Sequence, residues 1–344
     1  MKIQVSTFGC GNSQSEIYNS KFLLFLCAVL FALSFPAEAQ QPTKVPRIGY
    51  LSGPSLSSIS ARTDAFRQGL RELGYVEGKN IIIEWRSPEE KADRLPALAA
   101  ELVRLKVDVI VTSGPQATRP AKEATSTIPI VMTNEGDPVG TRFVASLARP
   151  GGNVTGLSTF APELSGKRIE LLKEIIPKLS RVAVFGTSTR SDNAQSVTEV
   201  EVAAKAFGVK LQHLDVLDPK DIEAAFRAAG KGRADAVLMM VAGAVAFPHR
   251  TEIAELAVKN RLPAIYTNSL YVDAGGLMTY SANLTDLDRR AAVFVDKILR
   301  GAKPAELPVE QPTKFELVIN LKTAKEIGLT IPQSMLYRAD RVIK

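Results

Sequence analysis

From position 47 onward, short apolar runs alternate with amphipathic helical stretches, and the whole series occurs twice. Residues 47–52 (RIGYLS), 80–85 (NIIIEW), 107–112 (VDVIVT) and 128–133 (IPIVMT) read as strands. They are mostly continuously apolar rather than alternating, which is the mark of a parallel sheet covered on both faces. Between them, residues 61–73 carry Ala65, Phe66, Gly69, Leu70 and Leu73 at helical spacing, and 94–105 and 118–124 read as further helices. Strand–helix alternation of this kind predicts an α/β doubly wound domain.

The second series opens at 181–185 (RVAVF). It continues with a helix at 199–207, a strand at 209–214, a helix at 221–229, a strand at 234–241 (ADAVLMMV), a helix at 251–259 and a strand at 262–267 (LPAIYT). Arg47 and Arg181 are 134 positions apart, and so are Pro129 and Pro263. Two copies of one α/β lobe are the simplest account. Between them, Pro150-Gly151-Gly152-Asn153 is a turn cluster, followed by a short extended piece and a helix at 164–176. After the second copy come a strand at 276–281, a long helix at 284–300, a last strand at 315–319 and a short helix at 322–327. This tail is expected to cross back between the lobes and make the hinge multi-stranded.

The first 39 residues stand apart. Residues 22–35 form an uncharged apolar run, preceded by Lys21 and followed by Ala37-Glu38-Ala39. A cation, an apolar core and a small-x-small site are the order of a secretory signal. At about 14 residues the run is shorter than the ~20 that a membrane helix needs. Cleavage is expected between Ala39 and Gln40, and the long polar stretch 1–20 points to a true start further downstream. Cys10 and Cys27 are the only cysteines and would both be removed. Leu26 before Cys27 is the wrong neighbour for lipid anchoring, so a soluble exported protein is expected. Export without cysteine fits the periplasm of a Gram-negative bacterium, where a chain of this size needs no disulfide.

Composition excludes little else. Apolar residues make up 45% and charged residues 23%, as in ordinary globular proteins. The net charge of +7 is spread along helices without a basic run or an interleaved aromatic platform, so nucleic acid is not expected as a partner. No phosphate loop, H-E-x-x-H or G-x-S-x-G elbow is present. His213 and His249 are the only histidines and are isolated, which argues against a triad or a multi-histidine metal site; no cofactor is expected.

What remains is small polar residues at strand ends, where ligands bind in open α/β sheets. In the first copy these are Ser52 and Gly53, Ser113 and Gly114, Thr133, and then Asp137. In the second they are Ser188 and Thr189, Ala242, and Tyr266. Backbone N–H groups at Ser113-Gly114, just before a helix, would suit a carboxylate. Asp137 would take a ligand ammonium or, as Asp before Pro138, cap a helix. Tyr266 and Tyr280 are expected to form an aromatic wall.

Several stretches carry a family resemblance: residues 65–78 (AFRQGLRELGYVEG), 93–99 (DRLPALA), 136–139 (GDPV), 147–156 (LARPGGNVTG) and, most specifically, 307–320 (LPVEQPTKFELVIN). On these the chain resembles the periplasmic substrate-binding proteins of ABC transporters, in the subgroup related to tryptophan and aromatic amino-acid binders. The resemblance implies the type I periplasmic binding protein fold, with two Rossmann-like lobes of parallel sheet and three crossings. Signal peptide 1–39, first lobe 45–158 with 283–308, and second lobe 159–282 with 309–344 follow as expectations. So does a monomeric, non-enzymatic receptor that captures a small molecule, an amino acid or related carboxylate, and hands it to separate permease and ATPase subunits. The competing readings are an exported carboxylate-dependent enzyme and a sensor that presents ligand to a membrane receptor.

Overall fold

The structure is a computed structural model that describes residues 45–89, 91–159, 161–186, 194–241 and 243–344. The expected cleavage site and both cysteines lie outside the described residues. Among the described residues no helix is long and apolar enough to cross a membrane.

Two α/β lobes account for the described residues. The first is built on strands β1 (Arg47–Ser52), β2 (Ile82–Arg86), β3 (Val109–Ser113), β4 (Ile130–Glu135) and β5 (Val154–Ser158), all parallel, in the order β2-β1-β3-β4-β5. The second contains β6 (Arg181–Gly186), β7 (Lys210–Asp215), β8 (Ala236–Met239), β9 (Ala264–Tyr266) and β10 (Met278–Ala282) in the order β7-β6-β8-β9-β10. The repeat in sequence is therefore a repeat in topology. The second sheet then adds β11 (Phe315–Asn320), antiparallel to β10, and β12 (Arg341–Ile343) at its edge. The antiparallel pair departs from the expected all-parallel sheet, because β10 is joined to β11 through a helix on the other lobe rather than through a crossover on its own.

Strands β1, β3, β4 and β5 are buried on both faces, which is why their runs are largely apolar, whereas the edge strand β2 buries only Ile83 and carries Glu84 and Arg86. On one face Tyr50, Val109 and Val131 pack with Phe66 and Leu70 of helix Ser60–Glu72 and with Leu287, Ala291 and Val295 of helix Leu284–Leu299. On the other, Leu51, Ile110 and Met132 meet Leu98 and Leu102 of helix Leu95–Arg104 and Ala117 and Ala121 of helix Pro115–Ala124. Each fully buried side chain such as Phe66 contributes roughly 1.5–3 kcal/mol. The second sheet is covered in the same way. Helix Ala161–Ile175 supplies Ile169 and Leu172 to one face, and Phe226 of helix Asp221–Lys231 and Ile253 of helix Arg250–Lys259 cover the other.

The chain passes between lobes after β5, after β10 and before β11. Thus helix Leu284–Leu299, which follows β10 of the second sheet, packs on β3, β4 and β5 of the first. The crossing segments run side by side. Ser158 N donates to the Glu310 carbonyl at 2.9 Å, Glu310 N to the Gly156 carbonyl at 2.9 Å, and Asn283 N to the Lys314 carbonyl at 3.1 Å.

Candidate functional site

In both lobes the strand order reverses at the first strand, between β1 and β3 and between β6 and β8. Chain connections leave in opposite directions there, opening a crevice at the carboxyl ends. The two crevices face each other, and the cleft between them holds two cavities of about 460 Å³ and 440 Å³. Pro115, Gln116, Asn134, Asn268 and Leu284 line both, so the two are compartments of one cleft. The first two residues of helix Pro115–Ala124 lie on this shared wall, and Arg119, Pro120 and Glu123 of the same helix continue along the first compartment.

The first compartment is walled by Glu135, Asp137 and Thr141 from the first lobe, and by Ser165, Arg168, Met240 and Thr267 from the second. Arg168 is 2% exposed on helix Ala161–Ile175. Its Nε donates to the Tyr280 carbonyl at 2.9 Å, and its Nη1 reaches Ser165 Oγ at 3.5 Å. Burial brings its pKa down to about 10. The second compartment is walled by Ser55, Ser58, Arg62 and Ser113 from the first lobe, and by Phe247, Arg250 and Leu270 from the second. Arg62 is buried as well, but its Nε donates to Asp288 Oδ2 at 2.6 Å and its Nη2 to Ser113 Oγ at 2.9 Å. Burial alone would lower its pKa; the Asp288 carboxylate and the Tyr50 oxygen outweigh that and leave it raised. Tyr50 donates to the other Asp288 oxygen at 3.1 Å.

The structure brings together four of the residues expected from sequence. Gly53, Ser113 and Gly114 line the second compartment and Asp137 the first. Gly114 has φ of 88°, a left-handed conformation that favours glycine and turns the strand end into the helix. The Ser113 hydroxyl is engaged by Arg62. Asp137 caps no helix: residues 138–147 form turns, in which Asp137 Oδ1 accepts from Gly140 N at 2.8 Å. Ser52 and Thr133 sit behind the wall, Ser52 donating to the Pro54 carbonyl at 2.6 Å and Thr133 to Asn134 Oδ1 at 3.0 Å. Thr133 thereby orients Asn134, which faces both compartments. Ser188, Thr189 and Ala242 lie outside the described residues.

The two tyrosines are placed differently from the expected aromatic wall. Tyr266 points into the apolar layer beneath the second sheet, fully buried and stacked on Tyr271 with ring centroids 5.1 Å apart. The cleft-facing positions after β9 are instead Thr267 and Asn268. Tyr280 stacks on Phe315 of the neighbouring strand, with centroids 6.1 Å apart, and contributes its carbonyl to Arg168. The alternation of side chains along a strand sends both rings away from the cleft.

Sequence reasoning passed over Arg62, Arg168 and Phe247. A signal existed for the two arginines. Arg168 lies four residues from both Leu164 and Leu172, on the inward face of its helix, and Arg62 four residues before Phe66. A charge at such a position is either paired or functional. Among the described residues no group of acidic, histidine or cysteine side chains could hold a metal ion.

With this architecture in view, the comparisons with known proteins are specific. The sequence profile of the ABC transporter substrate binding proteins matches residues 44–343. The chain belongs to that family. This substrate-binding protein is 25% identical over 272 residues to a tyrosine-binding protein of Clostridioides difficile (strain R20291), covering 79% of this chain and 78% of that one. Among solved structures it is similar to a conserved domain protein from Vibrio cholerae (TM-score 0.80, 26% identity, 87% of this chain and 100% of that one). It is also similar to an ABC domain from Streptococcus pneumonia in complex with L-Trp (TM-score 0.76, 28% identity, 86% and 100%). The fold is that of the type I periplasmic binding proteins.

Proposed function

We propose that the protein is the periplasmic solute-binding component of an ABC importer. It captures a small molecule between its lobes and delivers it to a membrane permease driven by separate ATPase subunits. The observation that carries this reading is the cleft itself. Each compartment has walls from both lobes, so neither lobe alone makes a site, and a ligand that touches both favours the closed arrangement. Two relatives bind, by their names, tyrosine and L-Trp, which favours an amino acid, with an aromatic one the first to try. The apolar run before Ala37-Glu38-Ala39 supports export and cleavage after Ala39; the protein is proposed to act as a soluble monomer in the periplasm of a Gram-negative bacterium.

The test is mass spectrometry of solute carried through purification, followed by small-angle scattering with and without that solute. Compaction on binding, without chemical change of the solute, is expected. A bound solute that is turned over would favour an exported enzyme, and binding without compaction would remove the closure mechanism. A micromolar dissociation constant would correspond to about −8 kcal/mol.

A further inference from the structure

We propose that Arg168 is the anchor for a carboxylate, and that the solute is a zwitterion of the α-amino-acid type whose acid end lies against the second lobe. The proposal rests on the cleft being a solute site.

The guanidinium carries five N–H donors in a rigid fork. At Arg168 one is used on the Tyr280 carbonyl and one makes the long contact to Ser165, while Nη2 has no hydrogen-bond partner among the described residues. Both partners are neutral. A cation this deeply buried is unfavourable unless an anion offsets it, and its lowered pKa expresses the same imbalance. The side chain lines the first compartment, so the missing anion has a place to sit. A carboxylate matches the fork with two parallel hydrogen bonds.

The opposite wall narrows the class. On the first lobe's side of the same compartment one cation, Arg119, is outnumbered by the carboxylates of Glu123, Glu135 and Asp137. They would repel a dianion or a phosphate and favour a cationic group at the far end of the solute. An acid group held by one lobe and an ammonium held by the other would also make closure depend on the solute's two charges. Arg62 does not compete for the acid, because Asp288 already neutralises it.

The test compares L-α-amino acids with their carboxamides, which lack the acid charge, on the full mature chain and on Arg168→Gln and Arg168→Lys. Calorimetry with the twenty amino acids, several sugars and polyamines as probes is the measurement. At least one amino acid is expected to bind, with its carboxamide ten-fold or more weaker. In Arg168→Gln the acid should lose ten-fold or more and the acid–amide difference should vanish, and Arg168→Lys should restore part of it. A merely structural arginine would weaken acid and amide alike. Equal binding of acid and amide by the unaltered protein overturns the proposal even if Arg168→Gln does not fold. Binding of a sugar or polyamine alone, indifferent to Arg168→Gln, also overturns it but leaves the receptor reading intact. No binding of any probe, with no co-purified solute, overturns both.

Discussion

The two walls of the cleft each hold a buried arginine, and the two are treated in opposite ways. Arg62, in the first lobe, meets a fully buried carboxylate, Asp288, which also receives the Tyr50 hydroxyl. Its charge is spent on holding helix Ser60–Glu72 against helix Leu284–Leu299. Arg168, in the second lobe, meets only a carbonyl and a hydroxyl. The duplicated fold thus uses one arginine as structure and leaves the other for chemistry, and the difference lies in the partner rather than in the residue type or its burial.

The largest expected effect comes from removing the partner. Asp288→Asn leaves Arg62 buried beside no counter-charge and should cost about 3–5 kcal/mol in denaturant unfolding. Arg168→Gln removes a charge that has no counter-ion and should cost clearly less. Equal losses would erase the distinction between the two arginines.

A smaller contrast concerns the helices that carry them. Gly69, seven residues after Arg62, lies where helix Ser60–Glu72 crosses helix Leu284–Leu299, and a Cβ there would collide with the Arg289 carbonyl oxygen and the Ala292 side chain. Gly69→Ala should cost about 1–3 kcal/mol by overpacking. Gly166, two residues before Arg168, has only ordinary contacts awaiting a Cβ, the nearest being the Glu199 carbonyl oxygen at 3.4 Å. Gly166→Ala should stabilise by about 0.5–1 kcal/mol, because alanine loses less entropy in a helix. Thermal unfolding of the two variants side by side would show whether the sign differs.

The buried tyrosines form a third pair. Tyr50 donates to Asp288, whereas the buried Tyr266 hydroxyl has no hydrogen-bond partner among the described residues. Tyr50→Phe should therefore destabilise by about 1.5 kcal/mol or more, the value of a hydrogen bond to a charged group. Tyr266→Phe should stabilise by about 1 kcal/mol, by removing an unsatisfied polar atom. A loss in Tyr266→Phe would mean that the hydroxyl is satisfied in solution.

The smallest effect is one of pH. Burial raises the Tyr266 pKa above its usual value, with Tyr271 adding to it, and burial and then Asp288 raise that of Tyr50. Both stay neutral in the folded state where the unfolded chain would ionise. Their contribution is fully present below about pH 10 and is lost as pH rises beyond it. Tyr266→Phe should flatten the alkaline fall of stability, and an unchanged slope would place the ionisation elsewhere.

Much of this was legible in the residues. The first strand was expected at 47–52 and lies at Arg47–Ser52, and the helix expected at 284–300 lies at Leu284–Leu299. Continuous apolar runs must be buried on both faces, and that requirement is local to each run. The strand ends Gly53, Ser113 and Gly114 do line the cleft, because a strand-to-helix turn shows itself in glycine and serine. The small elements Ser269–Asp273, Gln333–Arg338 and Arg341–Ile343 escaped because they are too short to show a period.

The sequence alone therefore determined the order of most strands and helices, the duplication and the strand ends that line the cleft, since these follow from spacing and turn chemistry along the chain. Only the tertiary structure decided which charges are free. Asp288 is 226 positions from Arg62, and the carbonyl that holds Arg168 is 112 positions away. Whether an inward arginine is neutralised depends on what the fold packs against it, and no spacing along the chain carries that information.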